Sequence, residues 1–382
     1  MLGREMTKTL VVTNDFPPRP GGIQAFVHNL AVRRPPGSVV VYAPAWKGAA
    51  EFDAGQKFPI VRHPTSLMLP EPSVLRRAGA LARSEGCDTV LFGAAAPLGL
   101  LAPALRRYGV EHCVGITHGH EAAWASLPVA RSALRRIGEG LDVLTYLGEY
   151  TRSRMAAVLS PQAASRMARL APGVDETAFF AGSGGAEVRR RYGLADRPVV
   201  VCVSRLVPRK GQDALVHAWP TVLRKFPDAA LLLVGGGPYR ADLERLAAER
   251  GVSDSVVFAG SVPWEQLPAH YDAGDVFAMP CRTRRRGLDV EGLGIVYLEA
   301  SSTGLPVVAG DSGGAPDAVL DGETGVVVRG RSVPELAEAV TDLLADPERA
   351  RKMGEQGRAW VEREWRWDVQ AARLDTLLTG GS

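Results

Sequence analysis

The chain has 382 residues, more than one ordinary hydrophobic core needs, and its 45 Lys+Arg against 42 Asp+Glu leave a net charge of +3, which argues for two domains and against a dedicated nucleic-acid binder. Cys87, Cys113, Cys202 and Cys281 are scattered with no C-x-x-C pair, which suits a reducing compartment better than a disulfide scaffold. No run of eighteen apolar residues and no signal-peptide core is present, so a cytoplasmic protein without a membrane span is expected.

The first element is TLVVT (9–13), an apolar run that predicts a buried strand. After it, FPPRPGGIQAFVHNL (16–30) places Ile23, Phe26, Val27 and Leu30 at the i, i+3, i+4, i+7 spacing of a packed helix face. Gly21 and Gly22 stand where the helix begins. Bare backbone there would let a ligand reach N–H groups at the positive end of the helix dipole, although a tight turn alone also favours glycine. Further strands are predicted at VVVYAP (39–44), TVLFG (89–93), CVGITHG (113–119) and VLTYLG (143–148). After a break near 170–188 they resume at PVVVCVSR (198–205), AALLLVGGG (229–237), VVFAGSV (256–262), VFAMP (276–280) and PVVAG (306–310).

Runs that are apolar throughout suit strands buried on both faces, and their alternation with helical patterns predicts doubly wound parallel sheets. Two such series imply an α/β protein of two Rossmann-like halves, residues 1–170 and 171–364, facing a central cleft. Ligands of these sheets bind beyond the carboxyl ends of the strands, so the informative residues are those in the loops that follow strands.

Four loops meet that condition. The Gly21–Gly22 turn is the first. The second carries His118, His120 and Glu121; with His112 they hint at zinc, but no converging set of three ligands is visible and a hydrogen-bonding histidine is the better reading. The third is SRLVPRKG, where Arg205 and Lys210 are placed to clasp a diphosphate, Arg by bidentate chelation and Lys as a point charge. The fourth is EGLGIVYLEA (291–300), where Glu291 precedes a Gly-Leu-Gly turn and Glu299 lies in the next helix, each able to accept hydrogen bonds from a diol. A nicotinamide oxidoreductase is disfavoured, because neither the Gly21–Gly22 turn nor GGGPYR (235–240) has the G-x-G-x-x-G spacing.

Together, Gly21–Gly22, THGHE, SRLVPRKG and EGLGIVYLEASSTGLPVVAGDSGGAPDAV resemble the retaining GT-B glycosyltransferases of family 4, the last stretch matching their E-x7-E signature and Gly-Gly loop. LAPGVDETAFF is similar to the start of that family's second domain, and the tail WVEREWRWDVQAARLDTLL to the closing segment whose helix, about 365–382 here, crosses back to the first domain. Within the family, GGIQAFVHNLA, THGHE and RTRRRGLDVEGLGIVYLEA are most like the actinobacterial phosphatidylinositol mannosyltransferases.

That resemblance implies transfer of mannose from GDP-mannose to phosphatidylinositol monomannoside in α-1,6 linkage, the alternative being another nucleotide-sugar donor or another acceptor on the same fold. It implies that the amides of Gly21 and Gly22 face the donor's phosphates and sugar, and that Arg205 and Lys210 bind the diphosphate. It assigns Glu291 to mannose hydroxyls, the backbone of Gly294 and Ile295 to the diphosphate and sugar, Glu299 to the ribose diol, and the backbone of Val262 to the base. His118 would orient the reactants, with His120 as the fallback. No metal or cofactor is expected, since no D-x-D pair stands among these motifs. A phosphoinositide acceptor would bring the protein to the inner face of the plasma membrane as a peripheral protein, with Arg76, Arg77, Arg131, Arg135 and Arg136 as candidate contacts.

Overall fold

The structure is a computed structural model that describes residues 7–119, 121 and 128–380. It divides into two compact units, Met1–Gly173 with Trp367–Ser382, and Val174–Arg366. The sequence placed these boundaries at 170/171 and 364/365. At the observed ones, Gly173 packs against the backbone of Trp367 within the first unit, and the Val174 N–H bonds the carbonyl of Trp365 at 2.8 Å within the second.

In the first unit, seven strands form one parallel sheet: β1 (Thr9–Val12), β2 (Val39–Pro44), β3 (Ile60–His63), β4 (Thr89–Phe92), β5 (His112–Gly115), β6 (Val143–Tyr146) and β7 (Met167–Arg169). Their spatial order is β3-β2-β1-β4-β5-β6-β7, and every pair is parallel. Successive side chains face opposite sides of a strand, so Leu10, Val12, Val40, Tyr42, Val90 and Phe92 enter one core while Val11, Val39, Val41, Leu91 and Val114 enter the other. Both faces are covered, which is why these strands read as unbroken apolar runs.

Helix Gly22–Val32 buries Phe26, Val27 and Leu30 on the second face. The C-terminal helix Trp367–Leu378 joins the same core through Leu374 and Leu378. Asp375 on it is ion-paired to Arg34, Arg33 lies 5.0 Å from the Trp367 ring centre, and His112 Nε2 donates to the Leu377 carbonyl at 2.8 Å. The last helix therefore belongs to the first unit.

The second unit repeats the plan with six parallel strands, β8 (Val199–Val203), β9 (Ala230–Val234), β10 (Val256–Gly260), β11 (Val276–Met279), β12 (Val307–Gly310) and β13 (Gly325–Val328), in the order β10-β9-β8-β11-β12-β13. In each sheet the strand order reverses beside the first strand, between β1 and β4 and between β8 and β11. Doubly wound sheets bind ligands at that switch point. The loops after β1 and β4, and those after β8 and β11, are thereby singled out.

Candidate active site

In the second unit the chain leaves β8 through Ser204–Gly211. Ser204 N–H donates to the Val234 carbonyl (3.0 Å) and Leu206 N–H to the Gly236 carbonyl (2.9 Å), tying this loop to the one after β9. Gln212, fully buried at the start of helix Gln212–Lys225, donates its amide to Ser204 Oγ (2.8 Å) and to the Arg205 carbonyl (3.0 Å). The Arg205 backbone is thus fixed. Its side chain is exposed and has no ion-pair partner among the described residues.

Lys210 ends the short turn Pro208–Lys210, and its Nζ lies 2.7 Å from Glu291 Oε2, with side-chain exposures of 11% and 10%. At that burial a charge left with no opposite partner is costly. Arg209 Nη1 donates to the same oxygen at 2.7 Å, and its Nε is 3.4 Å from Asp289 Oδ1. Two cations therefore meet on one carboxylate oxygen. Glu291 is also fixed by its backbone: the Gly314 N–H donates to its carbonyl at 2.9 Å, and its own N–H donates to Ser312 Oγ at 3.3 Å. The Gly-Gly loop of the signature serves to hold Glu291.

Three residues on, Gly294 has φ 83° and ψ 66° and precedes helix Ile295–Ser302. That left-handed conformation disfavours any side chain, and a Cβ there would sit 2.5 Å from the Tyr297 ring. Tyr297 cannot yield easily, because its hydroxyl donates to the buried Met279 carbonyl at 2.7 Å. The helix consequently begins with bare amides, the arrangement that favours an anion. One turn further, Glu299 accepts a 2.6 Å hydrogen bond from the Tyr271 hydroxyl. Burial raises the pKa of its carboxyl, and the tyrosine bond opposes the rise. Val262 is half-buried, two residues beyond β10, and its backbone makes no hydrogen bond among the described residues.

In the first unit, Gly21 caps helix Gly22–Val32, and its carbonyl accepts from Ala25 N–H at 3.0 Å. A side chain at Gly21 would collide with Gln24, whose amide is held by Asp15 at 2.8 Å. A side chain at Gly22 would meet nothing within 4 Å, so open space lies over the helix start. His118 follows β5, with its ring Nε2 donating to the Gly93 carbonyl at 2.7 Å and its edge against Phe26. That bond ties the β5 loop to the switch-point loop after β4. His118 N–H also donates to Glu121 Oε2 at 2.9 Å.

Of the His112, His118 and His120 set that hinted at zinc, the structure describes the first two. His112 opens β5 and turns to the C-terminal helix, while His118 lies six residues on, about 20 Å along an extended chain. No group of three metal-ligating side chains occurs among the described residues, and His120 lies outside them. Arg76 and Arg77 are exposed on helix Pro72–Glu85, as are Arg131, Arg135 and Arg136 on helix Pro128–Gly140. The second helix also leaves Val129 86% exposed, and Arg135 is paired with Glu139 at 2.9 Å. No helix among the described residues is long and apolar enough to cross a membrane.

Sequence reasoning passed over Arg209, Gln212 and Tyr271. Arg209 was visible as half of the RK doublet, but nothing local shows which cation reaches Glu291. Asn14 was also missed: its amide donates to the Met68 carbonyl (2.9 Å) and its oxygen accepts from Met68 N–H (2.7 Å), pinning a distant loop to the end of β1.

Two Rossmann-like domains with their charged residues on loops past the strand ends are the GT-B architecture. The chain belongs to the group 1 glycosyl transferases, whose family model matches residues 186–360. Over nearly its whole length it is similar to the GDP-mannose-dependent α-(1-6)-phosphatidylinositol monomannoside mannosyltransferase of Mycolicibacterium smegmatis, 56% identical over 379 residues, covering 97% of this chain and 98% of that one. The enzyme of the same name from Mycobacterium tuberculosis is 53% identical over 98% of this chain and 99% of its own. Among solved structures, Anabaena HepE in complex with UDP superposes with a TM-score of 0.81 at 18% identity, covering 98% of this chain and 100% of that one. At that identity the likeness concerns the fold.

Proposed function

We propose that this chain transfers mannose from GDP-mannose to phosphatidylinositol monomannoside, forming the α-1,6-linked dimannoside with retention. The observation that carries the reading is the end-to-end similarity, at 56% identity, to an enzyme named for that reaction. The group formed by Glu291, Lys210 and the bare helix start at Gly294–Ile295 supports it. Departure of GDP builds negative charge on its diphosphate as the anomeric carbon gains oxocarbenium character. Lys210 and Arg205 supply the opposing charge, and the Gly294–Ile295 amides supply donors already aimed, so stabilisation grows with bond breaking.

Glu291 accepts hydrogen bonds from mannose hydroxyls, Glu299 from the ribose diol, and the Val262 backbone is left to the base. The Gly21–Gly22 amides are assigned to the donor's phosphates and sugar, and His118 to orienting the reactants. No metal is needed where fixed cations meet the leaving group. Peripheral attachment to an anionic membrane surface follows from a lipid acceptor, with Arg76, Arg77, Arg131, Arg135 and Arg136 beside the exposed Val129 as its contacts.

The test is a thermal-shift comparison of GDP, UDP and ADP, because a ligand that binds the folded state alone raises its stability. GDP should raise the midpoint most. A marked preference for UDP overturns the donor assignment.

A further inference from the structure

We propose that Arg209 is a positioning residue for Glu291, which it holds in place when a nucleotide diphosphate draws Lys210 away. The inference rests on the donor reading above and adds a division of labour between adjacent cations. Both reach Glu291 Oε2 at 2.7 Å, yet they are anchored differently. Lys210 Nζ has no other partner among the described residues. Arg209 grips the whole 289–291 segment: Nη1 on Glu291 Oε2, the same nitrogen 3.4 Å from the Val290 carbonyl, and Nε 3.4 Å from Asp289 Oδ1. Its own carbonyl accepts from Arg282 N–H at 2.8 Å.

The chemistry of the two side chains matches that difference. An ammonium is a compact point charge on a flexible stem, free to exchange one oxyanion for another, whereas a guanidinium fork holds several acceptors in a set geometry. A diphosphate carries more charge than a carboxylate and draws the ammonium to itself. Glu291, with a tenth of its side chain exposed, would then lose its only compensation if Lys210 were alone. Arg209 stays, so the carboxylate keeps its charge and its aim at the sugar. Lys210 acts on phosphate, and Arg209 acts on the sugar through Glu291.

GDP lacks the sugar and separates the two roles. Affinities of Arg209→Gln and Arg209→Lys for GDP and for GDP-mannose are measured by calorimetry, alongside kcat and KM for transfer. Arg209→Gln should weaken GDP-mannose about tenfold or more, the effect of breaking a desolvated charge pair, and leave GDP nearly unchanged. Arg209→Lys, which keeps the charge, should recover part of the loss. Equal weakening toward both ligands overturns the inference and makes Arg209 a phosphate contact. Unchanged affinity for both also overturns it, since Lys210 would then suffice for Glu291. Wild-type protein that binds neither ligand overturns the donor reading itself, and this inference with it.

Discussion

Replacing Lys210 with alanine removes one of the two cations on Glu291 and leaves the other in place. Stranding a buried charge costs about 3–5 kcal/mol, but Glu291 keeps Arg209 at 2.7 Å, so the fold should lose much less than that. Catalysis should lose far more. A group aimed at charge that develops in the transition state contributes about 3–4 kcal/mol, or about two to three orders of magnitude in kcat. The assay is steady-state transfer at saturating GDP-mannose, with the unfolding midpoint followed in parallel. Lys210→Ala should keep most of its stability and fall in kcat by about a hundredfold or more. If kcat stays close to wild type, Lys210 does not serve the leaving diphosphate. If the protein instead unfolds, Arg209 does not compensate Glu291.

Gly294→Ala forces a left-handed backbone on a residue with a side chain and crowds the Tyr297 ring; it should cost about 1–3 kcal/mol in urea unfolding and raise KM for the donor, and an unchanged midpoint contradicts the strain. Burial holds the Glu299 pKa above its ordinary value, so the folded state binds that proton more tightly. The stability so gained is full below the ordinary carboxylate range and is lost as pH rises through the folded pKa. Glu299→Gln should therefore gain on wild type in urea midpoints as pH rises above the ordinary carboxylate range of about 4, while its donor KM rises; a gap independent of pH refutes this. Burial also pushes the thiols of Cys87 and Cys281 up to about 11 and those of Cys113 and Cys202 up to about 12. A disulfide reagent near pH 8 should leave the native protein essentially unlabelled and titrate all four cysteines in denaturant; rapid native labelling contradicts their burial.

The central strands were legible because parallel strands covered on both faces must be apolar throughout: VVVYAP became β2 without a residue's change. The edges were not. In β3 (IVRH) and β7 (MAR) every residue is only half-buried, so a charged residue is tolerated in each and the apolar signal fails. β13 is the far edge of its sheet and was likewise passed over.

The loops proposed to carry the chemistry stand out in the sequence through glycines and charges placed after strands. What they do to one another was not. Arg209 and Glu291 stand 82 residues apart in sequence, and only the order β8-β11 brings their loops together. A doublet such as RK announces two cations, but which one holds a carboxylate and which one is left for phosphate depends on that pairing.

The most direct measurement is mass spectrometry of the lipid made when purified protein is given GDP-mannose and phosphatidylinositol monomannoside in vesicles, with a chelator present. The account predicts a phosphatidylinositol dimannoside carrying the new mannose in α-1,6 linkage, formed at an undiminished rate in the chelator. No transfer to that lipid, with turnover of a different nucleotide sugar or a different acceptor, would contradict it.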